Sequence, residues 1–159
     1  KEKVLVIKKN KGAVSNTSPE KDRILLYVGG HPRYEDSTEL ISDDFLAICK
    51  NALRREIKEE IGISVALNDI TPFYIYTPSN DSSLKHLAVC FLISVDINGL
   101  KLHIDAHELV LNKGKSKSGR FISINELEKD NNYEEWSIEI LKYCFNKSIS
   151  TGAQESLFD

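Results

Sequence analysis

The chain has 159 residues, of which 41% are hydrophobic and 28% charged, with a formal net charge of −3. That length supports one hydrophobic core and hardly two, so a single domain over 1–146 is expected, followed by a mobile polar tail over 147–159. The charge balance excludes a general electrostatic affinity for nucleic acid or an anionic membrane, and the longest apolar run, Leu87 to Val95, is less than half a membrane span.

In chain order, Val4-Leu5-Val6-Ile7 and Ile24-Leu25-Leu26-Tyr27-Val28 predict two buried strands separated by a polar loop from Lys9 to Asp22. The second strand runs into Gly29-Gly30-His31-Pro32. Paired glycines remove side chains and permit positive φ, as a backbone requires where its carbonyls approach a ligand. Ser42-Asp43-Asp44 then reads as a helix start, with Ser42 as the N-cap and acids in the first turn. Phe45, Ile48, Cys49, Ala52, Leu53 and Ile57 recur at i, i+3, i+4 spacing and are expected to face the core. The helix should end near Ile61, with Gly62 at the C′ position.

Strands near Phe73–Thr77, Lys85–Val95 and Leu100–Ile104 are expected next, with Asn98-Gly99 as a hairpin turn between the last two. The stretch from His86 to Val95 is apolar on both faces and predicts a central, doubly covered strand. Arg120-Phe121-Ile122 predicts a short strand, and Ser123-x-x-Glu126 is a capping box for a brief helix. A last amphipathic helix is expected from Glu134 to Phe145, with Trp136, Ile140, Leu141 and Cys144 inward. Cys49, Cys90 and Cys144 lie in apolar stretches with no C-x-x-C pair, which predicts buried free thiols in a reducing, cytoplasmic setting. No signal peptide is visible, and a chain that starts at lysine with no methionine fits a trimmed terminus or a piece of a longer protein.

The stretch Arg55-Glu56-Ile57-Lys58-Glu59-Glu60-Ile61-Gly62-Ile63 carries the most chemical information. Glu56 and Glu60 are i, i+4 neighbours, and Glu59 lies at i+3 from Glu56 on the same side of the helix. Like charges at that spacing repel each other, and acids in the last turns also oppose the helix dipole. A hard divalent cation reverses both penalties, because it takes oxygen ligands. The plain alternative is a solvated acidic face.

The run resembles the second half of the signature of Nudix (MutT-like) hydrolases, G-x5-E-x7-R-E-U-x-E-E-x-G-U, where U is aliphatic. Arg55, Glu56, Ile57, Glu59, Glu60, Gly62 and Ile63 fill each fixed position of that half. The first half is displaced: Gly30 is followed by Asp36 where the pattern has Glu, and eighteen residues (37–54) separate Asp36 from Arg55 instead of seven. The eleven extra residues are expected to lengthen the helix backwards and form a longer lead-in loop, not a subdomain.

The resemblance implies an α/β/α sandwich with a mixed sheet and metal-dependent hydrolysis of a nucleoside diphosphate linked to a further moiety, a small-molecule nucleotide substrate. By that resemblance Gly30, Glu56, Glu59 and Glu60 would hold Mg²⁺ or Mn²⁺, the glycine (or Gly29) through its main-chain carbonyl. Glu56, Glu59, Arg55 and Glu108 are the candidate catalytic residues. Arg55 would orient a carboxylate through a bidentate pair, Asp36 would pin the loop to the helix, and Glu108, with Asp105 in the same loop, is a candidate base. His31 and His86 lie near the presumed site, and Lys113, Lys115, Lys117 and Arg120 form a basic stretch that is either solvated or in reach of substrate phosphates. Pro78 falls where some relatives that hydrolyse ADP-ribose carry proline. The alternative reading is a non-catalytic nucleotide- or ADP-ribose-binding module that regulates a partner; a homodimer is compatible with either.

Overall fold

The protein is described by a computed structural model over residues 3–10, 12–18, 20–37, 44–75, 87–105, 107, 109–110, 120–127 and 132–146. Strand β1 (Lys3–Val6) and β2 (Lys8–Lys9) are followed by a 3₁₀ turn at Tyr34–Asp36 and the long helix α1 (Phe45–Ile61). Then come β3 (Phe73–Ile75), β4 (Ala88–Cys90), β5 (Leu109–Val110), β6 (Arg120–Ser123), α2 (Ile124–Leu127) and α3 (Glu135–Phe145). The fold class is mixed α/β. Ser42, Pro78, His86, Glu108, Lys113, Lys115, Lys117 and the tail lie outside the described residues. Among the described residues no helix is long and apolar enough to cross a membrane.

Among the described residues the strands form three antiparallel two-stranded pairs, β1–β6, β2–β5 and β3–β4. The first extended run changes partner twice along its length. Lys3 to Val6 face Ser123 to Arg120 in register, Ile7 exchanges hydrogen bonds with Leu25 (3.1 and 2.9 Å), and Lys8 and Lys9 face Val110 and Leu109. The strand expected at 24–28 shrinks to single bridges, Ile7 to Leu25 and Ile24 to Tyr133. The reason is a competing partner: the Leu26 amide donates to Ser137 Oγ at 3.1 Å, and that hydroxyl is fully buried at the start of α3. A side chain thus satisfies a buried donor that a ladder would otherwise have to satisfy.

Side-chain alternation sorts the core into two clusters. Leu5, Ile7, Leu25 and Tyr27 pack with Leu53, Ile57 and Ile61 of α1, whereas Val4, Val6, Ile24 and Leu26 pack with Ile138, Leu141 and Phe145 of α3. Period-two alternation places successive residues of an extended chain on opposite faces.

Helix α1 begins later than expected. Asp44, not Ser42, is the N-cap, accepting from the Leu46 amide at 3.0 Å, and no acid occupies the first turn. Phe45 is 58% exposed and does not reach the core, which starts at Cys49 and Ala52. The helix is otherwise continuous through Ile61, so ten of the eighteen residues in 37–54 extend it backwards. Gly62 ends it at φ 72°, with the left-handed geometry that a C′ glycine supplies.

Residues 100–104 form no hairpin strand, although the turn at Asn98-Gly99 is present, with Gly99 at φ 75°. The amides of His103 and Asp105 instead donate to the carbonyls of Ile61 (3.0 Å) and Glu60 (2.9 Å). Helix ends leave their last carbonyls without intrahelical partners, and this segment satisfies two of them. The segment near β4 is not doubly covered either: Leu87 is 58% and Leu92 53% exposed, and among the described residues the ladder joins Ala88–Cys90 to Phe73–Ile75. Helix α3 keeps its expected span, capped by Glu134; Ile140 and Leu141 are buried, while Trp136 and Cys144 are only half-buried. All three cysteines are free, Cys49 buried and the other two half-buried.

Candidate functional site

Helix geometry puts Glu56, Glu59 and Glu60 on adjoining positions of α1, and the surrounding chain gives each a different environment. Glu56 and Glu60 are buried, at 8% and 4% exposure, while the Glu59 side chain is 49% exposed. Gly29-Gly30 approaches them from the end of the 24–28 segment, and the end of the 103–105 crossing, where the Asp105 amide donates to the Glu60 carbonyl, brings Asp105 to the cleft. A cleft of about 460 Å³ results, lined by Gly29, Gly30, His31, Arg33, Glu56, Glu59, Glu60, Asp105 and Lys9.

Arg55 ties the two displaced half-motifs together. Its Nε donates to Asp36 Oδ1 at 2.9 Å and one terminal nitrogen to Asp36 Oδ2 at 3.0 Å, a bidentate pair. The same nitrogen donates to the His31 carbonyl at 3.3 Å, and the other reaches Glu56 Oε1 at 2.5 Å and Glu59 Oε2 at 3.3 Å. Asp36, 5% exposed, also accepts from the Arg33 amide at 2.7 Å, and its carbonyl accepts from Asn51 Nδ2 at 3.0 Å. The Arg55 hydrogen bonds hold the Asp36 carboxyl below the usual aspartate range, and Asp36 in turn raises the Arg55 guanidinium further above its ordinary value. Asp36 thus pins the loop to the helix, as expected, and Arg55 orients both Glu56 and Glu59.

The glycine turn works differently from the expectation. Among the described glycines only Gly62 and Gly99 have positive φ, so Gly29-Gly30 does not use that freedom. What matters at Gly30 is space: a Cβ there would lie 2.6 Å from Glu56 Oε1 and 2.7 Å from its Cδ, whereas one at Gly29 would meet nothing within 4 Å. Gly30→Ala should therefore push the Glu56 carboxylate aside at a cost of about 1–3 kcal/mol for overpacking, with loss of any cleft-dependent activity. Gly29→Ala should be close to silent. Thermal melts and activity of the two variants side by side check this, and equal behaviour would refute it.

Two cations in the cleft, Lys9 and Arg33, carry no motif in the sequence, while Asp105, named beside Glu108, does line the cleft. Lys9 meets Glu60 Oε1, and Arg33 stands 3.9 Å from both Glu56 Oε1 and Glu59 Oε2. Asp105 enters the cleft with Oδ1 accepting from the His107 amide at 2.8 Å. A charged residue ending an apolar strand, as Lys9 does, was the available signal for the first. His31 lines the cleft, and its contact with Arg55 runs through the backbone.

Among the described residues no three His, Cys, Asp or Glu side chains are arranged ready to hold a metal ion. The donors nevertheless suit a hard divalent cation in kind, being carboxylate oxygens beside a backbone turn, and the Lys9 ammonium is a stand-in cation on Glu60. Mutual repulsion of the three glutamates, which pointed to a metal in the sequence, is offset here by Arg55, Arg33 and Lys9. No protein-family model matches this chain, and no curated protein or solved structure does either.

Proposed function

We propose that the protein is a metal-dependent pyrophosphohydrolase with a Nudix-like α/β/α arrangement, acting on a nucleoside diphosphate-linked small molecule. The observation that carries the reading is the bidentate Arg55–Asp36 pair, which joins half-motifs separated by eighteen residues and lays Gly30 against Glu56. Bound Mg²⁺ or Mn²⁺ would neutralise phosphate charge and acidify the attacking water. Glu56, Glu60 and a main-chain carbonyl of the Gly29-Gly30 turn would hold it, together with Glu59. Arg55 fixes the Glu56 and Glu59 carboxylates in place. Glu59 is open to solvent and is the carboxylate best placed to take a proton from water. Arg33, exposed at the rim, would neutralise a substrate phosphate.

Incubation with a panel of nucleoside diphosphate-linked compounds, Mg²⁺ or Mn²⁺ should give phosphoanhydride cleavage that excess EDTA abolishes. The second reading, a binding module without turnover, has one observation in its favour: each of the three glutamates already meets a protein cation. Tight binding of a panel member without cleavage, unaffected by EDTA, would favour that reading and count against hydrolysis.

A further inference from the structure

Ladder register and one ring contact bring two of the three cysteines to a single seam. In β3, Phe73 and Ile75 share a face; Tyr74 between them points away and is 54% exposed, against 5% for Ile75. Cys90 pairs directly with Phe73 and Ala88 with Ile75, so the Cys90 side chain lies on that same covered face. Helix α3 meets the face there: the Phe73 ring stacks on Tyr143, with centroids 4.6 Å apart and planes 14° from parallel. Cys144 follows Tyr143 and stands one turn beyond the buried Ile140, on the inward stripe of α3. Both thiols are free and half-buried, and neither lines the cleft. Burial and then the neighbouring Cys144 push the Cys90 thiol up to about 11, and burial raises Cys144 as well. At neutral pH the pair is therefore held protonated and reduced.

We propose that Cys90 and Cys144 form a modification site in which a hydroperoxide oxidises the two thiols to a disulfide, tying α3 to the β3–β4 ladder. One sulfur, as thiolate, attacks a peroxide oxygen; the O–O bond breaks, an alcohol or water leaves, and a sulfenic acid remains. The second thiolate attacks the sulfenic sulfur, the S–O bond breaks, and the oxygen leaves as water. In all, two thiols lose two electrons and two protons, and the peroxide takes up both. A two-stranded ladder is marginal by itself, and a bond across the seam adds a covalent anchor to the ring stack. Cys49, buried on α1, takes no part.

Treatment of the full chain with a slight excess of hydrogen peroxide, then alkylation of the remaining thiols and tryptic digestion without reductant, tests this. The expected product is peptide 86–101 joined to peptide 143–147, with Cys49 alkylated. The melting temperature should rise by about 5–10 °C, and dithiothreitol should reverse the rise. Sulfinic or sulfonic acids in place of the joined peptides, a link to Cys49, or bonds only between separate chains overturns the proposal. So does complete alkylation of all three thiols, and melting that is unchanged despite the link overturns the tie. Cys90→Ser under the same peroxide should show neither the joined pair nor the rise, and a rise that persists there also overturns it.

Discussion

Replacing Glu59 by glutamine is expected to lower kcat by roughly 10²–10⁴-fold while leaving stability within about 0.5 kcal/mol of wild type. The two halves of that expectation have separate causes. Loss of rate follows from removing a carboxylate at the mouth of the cleft that can accept a proton. Constancy of stability follows from its exposure: Glu59 is half open to solvent, its contacts to Arg55 and Arg33 are 3.3 and 3.9 Å, and exposed pairs contribute little. Relief of glutamate–glutamate repulsion is not expected to raise the melting temperature, because Arg55 already compensates that repulsion. Glu60→Gln is the contrast. Glu60 is 4% exposed and carries Lys9, so that variant should lose stability as well as rate. Steady-state kinetics and chemical denaturation on the two variants decide the matter; an active Glu59→Gln would remove Glu59 from the mechanism.

Arg55→Met should cost about 3–5 kcal/mol, the penalty for leaving a buried carboxylate without its partner. Asp36 is 5% exposed, and Arg55 supplies two of the hydrogen bonds to its oxygens. The pH dependence separates this cause from lost packing. In wild type the Asp36 carboxyl is held below its ordinary value, so its contribution is complete above the usual aspartate range near pH 4 and is lost as pH falls through the folded value. In Arg55→Met the lone carboxylate is relieved by protonation, so the difference between the two proteins should shrink as the pH is lowered towards 3. A difference in unfolding free energy that stays constant from pH 7 to pH 3 would show that packing, and not charge, was lost.

The features legible in the sequence are those set by local chemistry. Gly62 ends α1 because a left-handed residue is needed there, and Asn98-Gly99 turns the chain. The roles of Arg55 in orienting a carboxylate and of Asp36 in pinning the loop followed from the motif resemblance alone, and the structure joins the two in one pair. What stayed hidden depends on contacts distant in sequence. Ser137 takes the Leu26 amide across 111 positions and so prevents a full strand at 24–28. The crossing of 103–105 over the end of α1 was read as a strand because its extended backbone pattern is the same whether its amides meet a ladder or a helix end. Lys9 reaches Glu60 across 51 positions, and no motif marks it. Phe45 continues the apolar period of α1 but falls one turn short of the core, since periodicity gives the face and not the extent of the partner surface. Asp105 reached the cleft through that same crossing, while Glu108 lies outside the described residues.

The clasp between Asp36 and Arg55 has a consequence for how this chain can vary over time. Because two side chains fix where the turn meets the helix, the backbone between them is free to change in length. For a flexible connector, growing from seven to eighteen residues costs about 0.8 kcal/mol of closure entropy. Here the cost is smaller still, since residues 45–54 are helical. Changes of length ahead of Phe45 are thus close to neutral as long as the two clasping residues persist, whereas 45–54 keep a fixed register because Cys49 and Ala52 are buried there.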